Sequence, residues 1–286
     1  MGHCAARHGG RQVHSLAMTA PLTSNASNRA SPGAALVTGA GRRLGREIAL
    51  TLAQAGWDIG VHYSTSRTEA LQTVADIQAL GRRAVALPAR LEEESDVLAL
   101  LPALTQALGP VRCLVNNASR FVFDAVNDLS FASFTQHMLP NLAAPVVLAR
   151  ELHRLLPPGE GSEGVVINLL DQKLYGLNPD FLSYSLSKAG LAAANTMLAQ
   201  ALAPSVRVVG IAPGLTLPSY LQDDAAFAHA HRTHAPLGRS STAEDIAAAV
   251  AFAVATRSMT GSVIIVDGGQ HIRPLPRDVS LMDKPL

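Results

Sequence analysis

Short apolar runs alternate with longer amphipathic stretches along most of the chain, and this alternation limits the folds open to it. The apolar runs have few polar interruptions, which is the pattern of strands buried on both faces of a sheet. The stretches between them have helical length and spacing, and several end at glycine. Strands that alternate with helices favour a parallel sheet with helices on both faces. The predicted strands are 35–38, 58–63, 84–87, 113–115, 164–169, 206–211 and 262–266, and the predicted helices are 44–55, 69–80, 93–108, 131–155, one that carries Tyr184 and ends near 203, and 243–255.

Composition narrows the class of protein. The 286 residues suffice for one large α/β domain, and 48% of them are hydrophobic, which permits a sizeable core. A net charge of +1 gives no sign of a nucleic-acid partner or an anionic membrane surface. No apolar run reaches the ~20 residues of a membrane span. The two cysteines, Cys4 and Cys113, fit neither a metal-ligand spacing nor a disulfide framework. We therefore expect a cytoplasmic protein that uses no metal.

Four segments organise the chain. Residues 1–32 are rich in polar residues and glycine, lack a run fit for a secretory signal, and are predicted to be a disordered leader. Residues 33–270 form the predicted single domain. Within it, residues 214–238 are long and weakly patterned, which is typical of a lid over a site. Residues 271–286 are predicted to be a C-terminal tail that crosses to a neighbouring subunit or frays.

Tyr184 and Lys188 are four residues apart on a predicted helix, so they share one face of it. A free phenol has a pKa near 10 and is a poor acid or base at neutral pH. An ammonium about 4 Å away, at an effective dielectric constant near 20, favours the phenolate by roughly 4 kcal/mol, or about 3 pKa units. This spacing predicts a tyrosine whose pKa lies near neutrality, where general acid–base catalysis is most effective.

The first predicted strand leads into a glycine-rich turn, residues 38–45 (Thr-Gly-Ala-Gly-Arg-Arg-Leu-Gly), and then into a helix. Glycines at that point let the backbone approach a pyrophosphate, and the helix N-terminus favours its negative charge. The preceding strand and following helix supply the structural context that such a motif requires. The sequence therefore predicts a dinucleotide site at this turn.

These motifs, in this order, resemble the short-chain dehydrogenase/reductase family over roughly residues 34–270. The family pattern is Thr-Gly-x-x-x-Gly-x-Gly, then Asn-Asn-Ala-Gly, a helix asparagine, a serine, Tyr-x-x-x-Lys, and Pro-Gly. The resemblance implies a Rossmann-like, doubly wound, seven-stranded parallel sheet and a homotetramer. The matching residues are Thr38, Gly39, Gly45, Asn116, Asn117, Ala118, Asn141, Tyr184, Lys188, Pro213 and Gly214.

Three departures from the pattern are similar to the pteridine reductase branch of the family. Arg43 replaces the middle glycine of the turn, Ser119 ends the Asn-Asn-Ala motif, and Asp171 stands where the catalytic serine is expected. Phe121 holds the place of an aromatic residue that stacks on the pterin ring in that branch. The substrate-binding residues implied are Ser119, Phe121, Asp171 and Tyr184.

The resemblance also implies roles for individual residues. Tyr184 is the expected proton donor, Lys188 lowers its pKa and holds the nicotinamide ribose, and Asn141 keeps a helix kink and a water path. Together with Asp171 these are the predicted catalytic residues. The predicted cofactor-binding residues are Gly39, Gly41, Arg42, Arg43, Leu44, Gly45, Tyr63, Ser64, Thr65, Ser66, Leu91, Asn117, Ala118, Ser119, Tyr184, Lys188, Pro213 and Gly214.

The charges near the turn favour NADPH over NADH. An NAD enzyme usually has Asp or Glu at the end of the second strand to bind the ribose 2′-hydroxyl. Here residues 61–67 carry no acid, and Arg42 and Arg43 lie in the turn beside them. A 2′-phosphate would therefore meet cations and hydroxyls without a repelling carboxylate.

Asp171 separates the candidate functions. An ionised aspartate can only accept hydrogen bonds, so it hinders ordinary ketone reduction but suits the N–H groups of a pterin. We expect an NADPH-dependent reductase of a dihydropteridine or dihydrofolate, in which Asp171 relays protons with Tyr184 if burial raises its pKa. The alternatives are an NADPH-dependent carbonyl reductase acting on a ketone or 3-oxoacyl thioester, and a non-catalytic NADPH-binding protein.

Overall fold

A computed structural model of the chain describes residues 1–2, 31–156 and 163–282. All but four residues of the predicted leader, 1–32, lie outside the described residues, so that prediction stays untested. The strands are β1 (Ala34–Val37), β2 (Asp58–Tyr63), β3 (Ala84–Pro88), β4 (Val111–Asn116), β5 (Gly164–Leu169), β6 (Val206–Pro213) and β7 (Val263–Val266). The helices are α1 (Arg43–Gln54), α2 (Arg67–Ala79), α3 (Glu94–Leu108), α4 (Phe131–Met138), α5 (Ala144–Leu155), α6 (Leu182–Ala201), α7 (Asp224–Thr233) and α8 (Ala243–Ala255).

The strands form one parallel sheet in the order β3-β2-β1-β4-β5-β6-β7. This confirms the predicted Rossmann-like, doubly wound, seven-stranded sheet. The chain winds outward from β1 to β3, returns to place β4 beside β1, and then continues in the opposite direction. A crevice opens at the carboxyl ends of β1 and β4, which is where ligands bind in folds of this kind.

Alternate residues of each strand face opposite sides of the sheet, so two apolar layers form. Val37 of β1 packs in one layer with helix residues such as Ile48 and Ile246, from α1 and α8. Leu36 packs in the other with Leu104 and Leu148, from α3 and α5. Because both faces of β1 are fully covered, the strand reads in sequence as an unbroken apolar run.

Two segments differ from the sequence-based expectation. The predicted helix 131–155 is interrupted by a π-helical turn, Leu139–Ala143, between α4 and α5. The predicted lid, residues 214–238, contains α7, which the sequence did not reveal because this short helix is mostly alanine and histidine, with few large apolar residues. The segment is called the lid segment below.

Several large apolar side chains are exposed on α4 and α6. Phe131 is 95% exposed, and Met197 and Leu186 are also exposed. These are the helices through which the tetramer implied by the resemblance would form, so the oligomer stays a prediction. No helix in the described ranges combines the length and the apolar character needed to cross a membrane.

Candidate active site

A cleft of about 820 Å³ opens at the carboxyl ends of β1 and β4 and is bordered by the lid segment. All predicted cofactor-binding and substrate-binding residues line it except Gly41. Of the predicted catalytic residues, Tyr184, Lys188 and Asp171 line the cleft, whereas Asn141 lies behind it. Sequence motifs spread over some 180 residues therefore meet in one site.

The glycine-rich turn enters α1 with room for an anion. Gly39 has a φ of +64°, and a side chain at Gly45 would meet the Gly39 carbonyl oxygen at 2.2 Å, so both positions require glycine. The N-terminus of α1 has no side-chain cap and no acidic residue in its first turn. Its free backbone N–H groups and its positive dipole end thus face the cleft, an arrangement that suits a pyrophosphate.

Arg43 stands where the family pattern has glycine, and its backbone has a φ of +53°, in the left-handed region that favours glycine. Its Nη2 donates a hydrogen bond to the carbonyl oxygen of Pro218 in the lid segment at 2.7 Å. Arg42 and Arg43 are both exposed and line the cleft together with Ser64 and Ser66, and the expectation that a 2′-phosphate meets these cations stays a prediction.

Thr38 ties the turn after β1 to the loop after β4. Its Oγ1 accepts from the backbone N–H groups of Asn117 (2.9 Å) and Ala118 (3.0 Å). The Asn117 side-chain amide donates in return to the carbonyl oxygen of Thr38 at 2.8 Å. These bonds fix the floor of the cleft where the two strands diverge.

His62 is a buried residue of this floor whose importance the sequence did not reveal. Its Nδ1 accepts from the backbone N–H of Gly39 at 3.0 Å, so the ring proton lies on Nε2, which is 3.2 Å from the carbonyl oxygen of Ala89. Burial lowers the pKa of His62 to about 4, so the ring is neutral at physiological pH. The imidazole thus braces the glycine turn as a neutral hydrogen-bonding group.

The Tyr184 hydroxyl donates a hydrogen bond of 2.6 Å to Oδ2 of Asp171. Tyr184 is 7% exposed, and Asp171 is partly buried two residues after the end of β5. Burial raises the pKa of Asp171, although the bond from Tyr184 and the charge of Lys188 oppose that rise. A raised pKa is the direction of shift that Asp171 needs in order to take part in proton relay.

The prediction for Tyr184 is wrong in this structure: its pKa is well above the usual value of a phenol, not near neutrality. Burial raises it most, and the charge and hydrogen bond of Asp171 raise it further. The Lys188 Nζ lies 5.7 Å from the Tyr184 ring centroid and donates to the Leu169 carbonyl oxygen at 2.6 Å. Burial lowers the pKa of Lys188 to about 8. The i, i+4 spacing predicted that the Lys188 amine lies near Tyr184. It did not predict that the Asp171 carboxylate lies nearer to the phenol and raises its pKa.

Asn141 lies in the π-helical turn and supports the cleft from behind. Its Oδ1 accepts from the Arg120 backbone N–H (2.7 Å), and its Nδ2 donates to the Arg120 carbonyl oxygen (3.0 Å). The same Nδ2 lies 3.0 Å from Oγ of Ser187 on the helix of Tyr184. Asn141 therefore joins the Ser119–Phe121 loop to α6 from within the π-helical turn, and its catalytic role stays a prediction.

Comparison with known proteins identifies the family. The family described as "Enoyl-(Acyl carrier protein) reductase" matches residues 39–271. A short-chain dehydrogenase from Burkholderia cenocepacia, solved in complex with NADP, is 32% identical with a TM-score of 0.78, covering 85% of this chain and 99% of that one.

The chain is a short-chain dehydrogenase/reductase.

Two further relatives differ in what their names describe. FolM alternative dihydrofolate reductase 1 from Brucella suis, solved in complex with NADP, is 40% identical with a TM-score of 0.80, covering 84% of this chain and 95% of that one. The 3-oxoacyl-[acyl-carrier-protein] reductase FabG of Staphylococcus aureus is 29% identical over 83% of this chain and 98% of its own length. The relatives of this chain therefore include one named as a dihydrofolate reductase and one named as a 3-oxoacyl-[acyl-carrier-protein] reductase.

An aromatic wall borders the substrate side of this short-chain dehydrogenase/reductase. Phe121 stacks on Phe181 with ring centroids 4.1 Å apart, and it meets the Tyr184 ring edge-on at 4.7 Å. Phe181 is fully buried and has a φ of +56°, a conformation that side-chain residues rarely adopt. Phe121 lines the cleft, so it can offer a flat surface there, while Phe181 supports it from the far side.

The described part of the C-terminal tail, residues 271–282, packs against the rest of its own chain. Residues 273–281, called the C-terminal strap below, line the cleft through Pro274, Leu275, Asp278 and others. Ion pairs with Lys173 and Asp180 hold the strap on its own chain. The proline-rich sequence gave no sign of these long-range ion pairs, and crossing of the tail to a neighbouring subunit stays a prediction.

Cys113 and Arg90 take no part in the site. Cys113 is fully buried in β4, and burial raises the pKa of its thiol to about 12, so it is an inert core residue. Arg90 does not line the cleft and lies 3.4 Å from Glu93 in an exposed ion pair. In the described ranges, no cluster of three or more His, Cys, Asp or Glu residues could hold a metal.

Proposed function

We propose that this short-chain dehydrogenase/reductase is an NADPH-dependent reductase of pterin-type substrates, such as a dihydropteridine or dihydrofolate. The observation that carries the proposal is the 2.6 Å hydrogen bond between Tyr184 and Asp171 beside the ring of Phe121. A site built for ketones needs a hydroxyl donor where this chain has a carboxylate. The 40% identity to the Brucella suis dihydrofolate reductase supports the same choice.

The residues around the glycine turn fit NADPH. The turn and the N-terminus of α1 suit a pyrophosphate, and Arg42, Ser64 and Ser66 suit a 2′-phosphate. Lys188 lies in the cleft with an amine that can bind ribose hydroxyls. When bound, the reduced nicotinamide would supply the hydride. Two of the related structures are complexes with NADP, which is consistent with this cofactor.

Asp171 explains how a flat nitrogen heterocycle could be oriented. The carboxylate accepts hydrogen bonds from ring N–H and amino groups, whereas Phe121 offers its face for stacking. Ser119 is exposed at the cleft and can bond the edge of the ring. These groups together favour a pterin over a simple carbonyl compound.

The Tyr184–Asp171 pair can deliver the proton that accompanies hydride addition. Tyr184 is protonated at neutral pH, because its pKa is raised, and it gives its proton to a ring nitrogen of the substrate. The Tyr184 oxygen then regains a proton from solvent by way of Asp171, which is hydrogen-bonded to it and whose pKa is raised by burial. The Lys188 ammonium lies in the same cleft and stabilises the negative charge until that proton arrives. One hydride and one proton reach the substrate in each turnover.

A carbonyl reductase is the second candidate, because the relatives include the 3-oxoacyl-[acyl-carrier-protein] reductase FabG. Tyr184 and Lys188 would serve a carbonyl group equally well. A non-catalytic NADPH-binding protein is disfavoured, because it has no use for a buried phenol bonded to a carboxylate.

Loss of NADPH absorbance separates these candidates when the protein is mixed with dihydrobiopterin, dihydrofolate, a 3-oxoacyl thioester and a small ketone. The proposal requires the highest kcat/KM with one of the two pterin substrates. Turnover confined to the thioester or the ketone would refute it. NADPH binding without turnover of any compound would identify a binding protein.

A further inference from the structure

Two ion pairs attach the C-terminal strap to the substrate side of the cleft. Lys173 Nζ lies 3.0 Å from Oδ2 of Asp278, with side chains that are 6% and 17% exposed. Arg277 Nε lies 2.8 Å from Oδ2 of Asp180, which also accepts the backbone N–H of Asp278 at 2.7 Å. A charge so buried is costly once its partner is removed, so the pairs favour a single position of the strap.

Lys173 touches the catalytic carboxylate and the aromatic wall as well as the strap. Its backbone N–H donates to Oδ1 of Asp171 at 2.8 Å, whereas the Tyr184 hydroxyl donates to Oδ2 of the same carboxylate. Its Nζ lies 5.4 Å from the ring centroid of Phe181, the residue on which Phe121 stacks. Movement of this side chain would therefore disturb the wall that faces the substrate.

Asp278 shapes the end of the strap. Its Oδ1 accepts from both the backbone N–H (3.0 Å) and the hydroxyl (2.7 Å) of Ser280, which forms the short turn Val279–Leu281. That turn buries Leu281 in the cluster that contains Phe181 and Tyr184. One carboxylate thus receives the Lys173 ammonium on one oxygen and positions Leu281 through the other.

We propose that Lys173 and Asp278 are positioning residues that determine substrate affinity. Their ion pair holds the strap and Leu281 against Phe181, so that Phe121 and Asp171 keep the spacing a flat aromatic substrate needs. The identity of that substrate rests on the proposed function, whereas the fastening of the strap does not. The Lys173 ammonium and the Asp278 carboxylate bond each other and not Tyr184 or Asp171, so their loss should affect substrate binding more than NADPH binding or proton transfer.

Kinetics of Lys173→Met, Asp278→Asn and the uncharged double variant Lys173→Met/Asp278→Asn, which keeps an acceptor oxygen for Ser280, test the proposal in the full chain. Each single variant should raise KM for dihydrobiopterin about tenfold or more, because it leaves one buried charge unpaired. The change in kcat should be smaller, and the Kd of NADPH should stay within about twofold. The double variant should recover part of the lost affinity, since no unpaired charge remains. Arg257→Met, which breaks the exposed pair with Glu163, is the matched control and should change none of these values.

Amide hydrogen exchange provides a readout that needs no substrate. In the NADPH-bound protein, residues 273–281 should exchange faster in both single variants than in the wild type, while β1 and β4 exchange unchanged. Unchanged exchange, or faster exchange with an unchanged KM, would overturn the positioning role. So would an equal loss of NADPH affinity and turnover, which indicates a general loss of structure.

The two proposals fail separately. A wild-type protein that reduces no pterin refutes the proposed function, and KM is then measured with whichever compound of the panel it reduces. In either case, the amide hydrogen exchange of residues 273–281 shows whether the Lys173–Asp278 ion pair holds the strap in place.

Discussion

Replacing Tyr184 by phenylalanine removes one hydroxyl and should make stability depend on pH in a way that reveals the state of Asp171. In the native protein, Asp171 receives the Tyr184 hydroxyl at 2.6 Å and the Lys173 backbone N–H at 2.8 Å. The variant keeps only the second donor. A hydrogen bond to a charged group contributes about 1.5–3 kcal/mol, which equals a pKa rise of about 1–2 units for Asp171 when it is lost.

The sign follows from the direction of the native shift. Burial already raises the pKa of Asp171, so the folded state binds its proton more tightly than the unfolded state, and stability falls as pH rises through the folded pKa. In Tyr184→Phe the folded pKa of Asp171 is higher still, so the pH range over which stability falls extends to higher pH. The variant and the wild type should therefore differ least in acid, where both carboxyls are protonated, and by the full ~1.5–3 kcal/mol above both folded pKa values.

Urea unfolding at a series of pH values between about 4 and 9 measures this difference. Tyr220→Phe is the control, because the exposed Tyr220 hydroxyl accepts a backbone N–H of Phe123 and contacts no carboxylate. Its destabilisation should be small and independent of pH. The reasoning would be refuted by a Tyr184→Phe difference that is flat or that shrinks toward alkaline pH.

Further predictions concern catalysis and the cofactor. Tyr184→Phe should lower kcat about 100- to 10,000-fold, while fluorescence titration shows an NADPH Kd close to that of the wild type. Arg42→Ala should weaken NADPH about tenfold or more and leave NADH nearly unchanged, and equal losses would contradict a 2′-phosphate role. Asp171→Ser should reduce kcat/KM for a dihydropterin, and a gain would disprove the role of the carboxylate. Asn141→Ala should cost about 1–3 kcal/mol in the free energy of unfolding, measured in urea, because it leaves the buried backbone groups of Arg120 without partners.

The sheet was predictable because its information is local. Each strand is an apolar run covered on both faces, and all seven lie within about two residues of their predicted bounds. The cofactor end was predictable for the same reason, since the turn at 38–45 joins a strand to a helix. α7 was missed because a short alanine-rich helix has little apolar periodicity.

The chemistry of the site was less predictable, because it depends on contacts between distant residues. The spacing of Tyr184 and Lys188 fixes their shared face but not the burial that raises the pKa of the phenol. Lys173 and Asp278 are 105 residues apart, and nothing in either local sequence indicates the ion pair. Asp171 did have a usable signal, its place in the family pattern.

The left-handed backbone of Arg43 bears on how the glycine-rich turn and the lid segment order around bound ligands. A left-handed conformation costs a residue with a side chain about 1–2 kcal/mol, and glycine would avoid that cost. In exchange, one guanidinium reaches from the nucleotide turn to the carbonyl of Pro218 across the opening. Because this hydrogen bond joins the glycine-rich turn to the lid segment, binding of a nucleotide at the turn and ordering of the lid segment should each favour the other.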